Sequence, residues 1–512
     1  MSRPKMQNRF NRRDFLKLAA SLPLGLAVSR MLRPLATQTS LQEQPRNVIV
    51  VVCDAFSAYD ISLYGYARQT TPNIDRLAKR ALVYHNHFSA GNFTSPGTAS
   101  LLTGVLPWTH RAININGKVI DPYITRNIFS PFREYYRIAY THNAFANTLL
   151  TQFQRDLDEL IPRQSLFLES YDTLISTLFE NDEDIASISW IRSMQVNEDG
   201  SAYSLFLSHL YETLQERKLK NLKPLFPRGL PTLGQVNPYL LETAVDGVAK
   251  RLAEIPQPFL GYFHFMPPHH PYRTSREFFN AFKGDGFESP EKPVDILARR
   301  VIEQQPQRRT EYDEFILYCD KHFDRFYQHL ESSGLLEDTW LVLTSDHGEM
   351  FERGISGHGS SVLYQPVVRI PLLIFEPGRQ TAMNIYEYTS AVDVLPTLAH
   401  LTGQAAPDWT EGTVLPPYAG ADPTRNVYVV QAIDNAKHSP LTQASTALVR
   451  ENYKIHYYFG YPELPEGERV SLFDIKSDPE ELVDLYPSHK GIAAELLNEL
   501  KSQLAQADRP YL

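Results

Sequence analysis

"NVIVVVCD", residues 47–54, is an unbroken apolar run dominated by β-branched residues and ending on a carboxylate. A strand with no polar face must be covered on both sides, so this run predicts a central strand of an α/β sheet. Asp54 then stands at its carboxyl end, the edge where open α/β sheets bind ligands. "TWLVLTSDHGE" (339–349) repeats the design, with Asp346, His347 and Gly348 just past an apolar strand. "FLGYFHFMPPHHPY" (259–272) leads from a third strand into a loop carrying His269 and His270. Helical patterns lie between them, such as "TPNIDRLAKRAL" and "EYDEFILYCDKHFDRFYQHLESSG". This alternation predicts a mainly parallel sheet flanked by helices.

Around that frame the chain divides into three. Residues 46–390 read as the main α/β unit, in which 120–250 carry mixed helical patterns without a chemical motif and read as an insertion that could shape or cover a site. Residues 391–512, with "VDVLPTLAHLTG", "LVRENYKIHYYFG" and "LFDIKSDPEELVDLY", read as a smaller strand-rich unit closed by a helix. Residues 1–45 stand apart: "NRRDFLKLAASLPLGLAVSR" has Arg12 and Arg13 before Phe15, Leu16, Lys17 and a modest apolar stretch, then polar "TQTSLQEQP". This resembles a twin-arginine export signal, too weakly apolar for a spanning helix. Cleavage after Ser29, or retention as an anchor, follows from that reading. The 512 residues are 43% hydrophobic, enough for a large core, and a net charge of -9 without a basic stripe excludes nucleic acid as a partner. Two cysteines, Cys53 and Cys319, exclude a disulfide framework and leave a single pairing open.

The strand ends collect chemistry. Asp54, Asp346 and His347 offer oxygen and nitrogen donors suited to a divalent cation, zinc or manganese first, with calcium or magnesium as harder alternatives. "NFTSPGTASLLTG" (92–104) adds a hydroxyl at the start of a short helix. Two readings of it stand side by side. Thr94 or Ser95 caps the helix, with Pro96 in its first turn and Gly104 as its stop. Alternatively, Thr94 is an oxygen donor to the cation and a nucleophile, beside helix N–H groups that hold a tetrahedral anion. A departing alkoxide then needs a proton or a positive charge, for which His269, His270 and His358 in "SGHGSS" are candidates. His264 reads as a buried core residue, because "GYFHF" alternates.

These residues resemble the sulfatase family of the alkaline phosphatase superfamily over residues 46–487. Strand to aspartate, "TPNIDRLA", nucleophile helix and "LLTG" are followed in family order by "PHHPY", "TSDHGE", "RIPLLIFEPG", "DVLPTLAHLTG" and "LFDIKSDPEELVDL". The resemblance implies an alkaline-phosphatase-like α/β sandwich with a large mainly parallel sheet and a smaller C-terminal strand-rich subdomain. It implies Asp54, Asp346 and His347 as metal ligands, Thr94 at the nucleophile position, and His269 serving substrate or leaving group. Thr94 and His358 are also similar to the nucleophile and substrate-side histidine of phosphoethanolamine transferases, and Thr94 to the nucleophile of lipoteichoic acid synthases. The departures are equally specific. Thr94 stands where sulfatases carry the residue oxidised to formylglycine, Thr98 replaces the motif arginine, and Ala55 replaces a second aspartate. A single-metal threonine site is therefore expected. Lys118 and Arg353 lie in segments suggestive of the family's cationic clamp.

The expectation is an exported enzyme, periplasmic or extracellular, acting on phosphate mono- or diesters through Thr94. Its substrate would be a small-molecule, glycan or lipid-headgroup ester, and its one macromolecular partner the twin-arginine export machinery. A sulfatase acting without formylglycine, and a catalytically silent binding protein, are the alternatives.

Overall fold

The computed structural model describes residues 46–168, 213–214, 217, 219–233, 236–289, 291–298 and 305–512. The export-signal expectation lies outside the described residues. Among those described, no helix is long and apolar enough to cross a membrane.

Eight strands form the central sheet: β1 (Asn47–Cys53), β2 (Leu82–Phe88), β3 (Tyr136–Thr141), β4 (Glu159–Leu160), β5 (Phe259–Phe265), β6 (Thr339–Thr344), β7 (Leu372–Phe375) and β8 (Met383–Ser390). Their order is β8-β2-β7-β6-β1-β5-β3-β4. Only β7 runs against the rest, pairing antiparallel with both β2 and β6. β1 lies at the centre between β5 and β6, both parallel to it. Its unbroken apolar sequence has a direct cause. Ile49, Val51 and Cys53 pack into one core with Tyr312, Phe315 and Cys319, whereas Val48, Val50 and Val52 pack into another with Leu101, Leu102 and Leu395. Burial of both sides at about 25 cal/mol per Å² leaves no position for a polar residue until the strand ends.

Helix α1 (Thr94–Thr103) and helix α2 (Ala144–Gln152) cover one face; α3 (Leu241–Leu252) and the long α4 (Gln305–Ser332) cover the other. Helix α5 (Val394–Leu401) also packs into the core of the central sheet through Val394, Leu395 and Leu398. The sequence reading had put this segment with the C-terminal unit. The strand-rich part itself begins at β9 (Val427–Gln431) and continues through β10 (Ala444–Arg450), β11 (Tyr453–Phe459) and β12 (Glu468–Asp474) as an antiparallel sheet. Helix α6 (Lys490–Asp508) closes it through Ala493, Leu496 and Leu500.

The stretch read as an insertion from residue 120 differs more. It supplies β3 and β4 of the central sheet, and β3 pairs with β5 over six residues. "YRIAYT" mixes Arg137 and Thr141 with apolar residues, because β3 lies toward the edge of the sheet and its start is half exposed. That mixture hid it. Cys53 and Cys319 are buried free thiols with Sγ atoms 3.3 Å apart.

Candidate functional site

β1, β2, β3, β5 and β6 are mutually parallel, so their carboxyl ends fall on one edge. Asp54 follows β1, Asp346 and His347 follow β6, His269 and His270 follow β5, and Asn143 follows β3. Ser345 ties the two central ends together: its Oγ donates to the carbonyls of Cys53 and His347 and accepts from the N–H of Phe56. Asp54, Asp346 and His347 are fully buried, and one donor atom from each lies within 4.8 Å of the others. Nε2 of His347 is 3.5 Å from Oδ1 of Asp54 and 3.6 Å from Oδ2 of Asp346. Its Nδ1 lies 2.9 Å from the Gly348 carbonyl, which fixes the proton there and turns Nε2 toward the carboxylates.

Thr94 is the first residue of α1, and the cap is Phe93, whose side chain makes no capping hydrogen bond. The capping reading of Thr94 and Ser95 is thereby corrected. Ser95 Oγ instead accepts from the Gly117 N–H, and the Thr94 hydroxyl points into the carboxylate group. Its Oγ1 is 3.4 Å from His347 Nε2 and accepts from Nδ2 of Asn143 at 3.3 Å. Gly104, with φ of +70°, does end the helix, as read. Thr98 Oγ1 donates to Asp346 Oδ2 at 3.3 Å. Gly97 allows the close approach: a Cβ there would lie 2.1 Å from the Asp346 carbonyl oxygen.

Two residues of the site were not read as such from the sequence. Asn143 caps α2 by accepting from the Phe145 and Ala146 N–H groups, while its Nδ2 donates to Asp54 Oδ2 at 2.5 Å and to Thr94. Its capping signal was readable; its second duty was not. His264 is buried, as read, yet it faces the carboxylates. Its Nε2 lies 3.2 Å from Asp54 Oδ2 and 3.8 Å from Asp346 Oδ2 without hydrogen-bond geometry, and its Nδ1 meets the Tyr262 hydroxyl at 3.2 Å.

Burial alone would raise Asp54, but His269, His264 and His347 outweigh it and hold the carboxyl well below its usual range. Asp346 is raised, first by burial and then by the Asp54 charge. Burial would lower His347, yet the two carboxylates push it up to about 9. Two carboxylates buried side by side therefore demand a positive charge. Asp54 Oδ1 and His264 Nε2 are both buried without a hydrogen-bond partner among the described residues. That donor chemistry fits a divalent cation held by Asp54, Asp346 and His347 with Thr94 as oxygen donor.

His269 and His358 reach this group: the His358 ring centroid is 4.3 Å from that of His347 and 4.7 Å from that of His269. Burial pushes His269 and His270 down to about 4, so both are neutral near pH 7. Arg353 is taken elsewhere, stacked over Tyr364 and donating to the carbonyls of Glu480 and Glu481. Lys118 is exposed, next to Gly117.

A mainly parallel sheet presenting carboxylates, imidazoles and a helix-borne hydroxyl at one edge is the architecture of the alkaline phosphatase superfamily. Comparison with known proteins narrows this. The sulfatase family model matches residues 46–404, and the model named N-sulphoglucosamine sulphohydrolase, C-terminal, matches 358–509. The multifunctional alkaline phosphatase superfamily protein PehA of Trinickia caryophylli is 22% identical, over 91% of this chain and 96% of its own length. The choline-sulfatase of Rhizobium meliloti (strain 1021) is 24% identical, over 82% and 78%. The crystal structure of the phosphonate monoester hydrolase of Agrobacterium radiobacter superposes with a TM-score of 0.65 at 17% identity, covering 90% of this chain and 96% of that one. The chain belongs to the sulfatase family, and it is an ester hydrolase of that superfamily.

Proposed function

We propose that the chain cleaves phosphate mono- or diesters with Thr94 as the nucleophile, passing through a phosphorylated threonine. The observation that carries this is the Thr94 hydroxyl, left out of helix capping and held between His347 Nε2 and Asn143 Nδ2 at 3.4 and 3.3 Å. A divalent cation bound by Asp54, Asp346 and His347 would supply the positive charge that favours the alkoxide of Thr94 and offsets the phosphoryl oxygens.

The chain's own residues do the remainder. Asn143 orients Asp54 and Thr94 together, its Nδ2 donating to Asp54 Oδ2 and to Thr94 Oγ1. In the first turn of α1 Pro96 has no N–H and the Gly97 N–H donates to the Phe93 carbonyl, so the N–H groups of Thr94 and Ser95 are the ones left for the anion. Oγ1 of Thr94 forms the bond to phosphorus as the ester oxygen departs in line, and the hydroxyl proton ends on the departing alcohol. His269 and His358 border the path of that oxygen. Water in hydrolysis, or a second alcohol in transfer, then bonds to phosphorus as the bond to Thr94 Oγ1 breaks, and its proton returns to Oγ1. The name of the phosphonate monoester hydrolase fits this phosphorus chemistry, and the threonine in place of an oxidisable cysteine or serine favours it over sulfate.

A second reading keeps sulfate esters as substrates, favoured by the choline-sulfatase relative and by the C-terminal model match. A silent binding role has the intact donor set against it. Export, with the twin-arginine machinery as partner, remains part of the proposal for residues 1–45. The test is a panel of aryl phosphate mono- and diesters and aryl sulfates with the wild type and Thr94→Ala. Phosphoester turnover lost in Thr94→Ala is expected. Sulfate-only turnover, or undiminished turnover by Thr94→Ala, would overturn the proposal.

A further inference from the structure

We infer that Tyr312 of α4 is a positioning residue for Asp54: its hydroxyl holds a left-handed turn at Ala55, and that turn sets where the Asp54 carboxylate stands. Ala55 directly follows Asp54 and has a φ of +59°. An L-residue in that region crowds its Cβ against its own backbone, so the conformation persists only where neighbours enforce it. Among the described non-glycine residues at positive φ, Ala55 alone has neither a polar nor a charged side chain. Its methyl group can neither hydrogen-bond locally nor offer a ligand to a cation, so the turn must be held through its backbone.

Four hydrogen bonds do this, from two sides. On the β6 side, Asp346 Oδ1 accepts from the Ala55 N–H at 3.3 Å and Ser345 Oγ from the Phe56 N–H at 2.9 Å. On the α4 side, the Tyr312 hydroxyl donates to the Ala55 carbonyl at 2.6 Å and accepts from the Ser57 N–H at 3.0 Å. One hydroxyl thus spans the turn in both of its hydrogen-bonding roles, and it makes the shortest bond of the four. The Tyr312 ring is fully buried, edge-on to Tyr272 at 5.5 Å and tilted against Phe351 at 5.2 Å between centroids, so the hydroxyl is a fixed point. Asp54 needs such a point. Asn143 holds its Oδ2, but its Oδ1 is buried without a hydrogen-bond partner among the described residues and takes its place from the backbone. Without the Tyr312 hydroxyl, the buried Ala55 carbonyl and Ser57 N–H lose that partner, and Ala55 is free to leave a conformation it does not favour. Glycine at 55 would keep the same φ without strain and so need Tyr312 less.

This role presupposes the cation on Asp54, Asp346 and His347 proposed above. The full-length protein is stripped with a chelator, and its zinc affinity is measured by chelator competition for the wild type, Tyr312→Phe, Tyr312→Phe with Ala55→Gly, Asp54→Asn and Tyr84→Phe. The last is a control that removes another hydroxyl, one donating to the Pro416 carbonyl at 2.8 Å. Tyr312→Phe should bind zinc about 10- to 100-fold more weakly, as loss of an outer support of a metal ligand does, while Tyr84→Phe keeps the wild-type affinity. Adding Ala55→Gly should recover about fivefold or more, because the left-handed conformation no longer carries a cost. That recovery separates positioning from a general loss of stability, which a second destabilising change would deepen. Unchanged zinc affinity in Tyr312→Phe would overturn the inference and leave the cation site standing, and so would a loss that Ala55→Gly does not relieve. A wild type that binds zinc no more tightly than Asp54→Asn would refute the cation site itself, and the role of Tyr312 with it.

Discussion

Replacing Gly97 by alanine tests whether the contact between α1 and the β6 end governs catalysis. The new Cβ would lie 2.1 Å from the Asp346 carbonyl oxygen, where ordinary contact begins at 3.4 Å, so helix and loop must part by about 1.3 Å (3.4 minus 2.1). The Ser89 hydroxyl, which donates to the same carbonyl at 2.5 Å, would sit 3.2 Å from the Cβ and resist the shift. Overpacking costs about 1–3 kcal/mol, and alanine returns up to about 1 kcal/mol of helix propensity, so the net loss of stability stays near 0–3 kcal/mol. The rate responds more steeply. Thr94 begins the same helix and must stay within reach of His347, and a displacement of about 1 Å in a reacting group costs on the order of 100-fold, or about 2.7 kcal/mol. Initial rates on an accepted aryl phosphate, with thermal melts alongside, separate the two effects. Gly491→Ala, on α6 with nothing within 4 Å of its Cβ, is the control expected to keep wild-type turnover. If Gly97→Ala folds and turns over like the wild type, the claim that this close packing sets the Thr94–His347 geometry is refuted.

Further outcomes follow from the same contacts. Asn143→Ala should lower kcat/KM by about 100- to 1000-fold, as loss of a preorganised donor does, whereas unchanged kinetics would remove Asn143 from the site. His264→Ala should weaken zinc binding by about 10- to 100-fold in a chelator competition, since its Nε2 flanks both carboxylates; equal affinity would make it a core residue only. Glu481 is an acid-stability probe. Burial would raise it, but Lys454 at 2.9 Å and His456 at 3.3 Å hold it at about 2 against an ordinary 4.5. A depressed carboxyl adds stability above pH 4.5 that is lost as pH falls toward 2, at most about 3 kcal/mol. Denaturant titrations across that window should show the loss in the wild type and a flatter profile in Glu481→Gln. A wild-type stability independent of pH there would contradict the assignment.

What was readable in the sequence was whatever burial forced into composition. β1 and β6 are covered on both faces, so their interiors, Val48–Cys53 and Trp340–Leu343, are apolar and the polar residues gather at the strand ends; Asp54 and Asp346 were visible for that reason. Thr94 was ambiguous because a hydroxyl at a helix start serves as cap or as chemical group, and only the Phe93 cap geometry separates the two. β3 was hidden by the half-exposed start of its mixed sequence. His264 obeys the alternation that predicts burial, and alternation cannot show that the buried side holds two carboxylates rather than more hydrocarbon. The reversed direction of β7 is likewise a matter of connection, not of its residues.

The central claim is a covalent phosphoryl ester on Thr94. Rapid acid quench during turnover of an aryl phosphate diester, digestion, and exact-mass analysis of the peptide spanning residues 92–104 tests it most directly. The account predicts a phosphorus-bearing adduct on Thr94 that is absent from Thr94→Ala. An unmodified Thr94 peptide under steady turnover, or an adduct on any other residue, would contradict it.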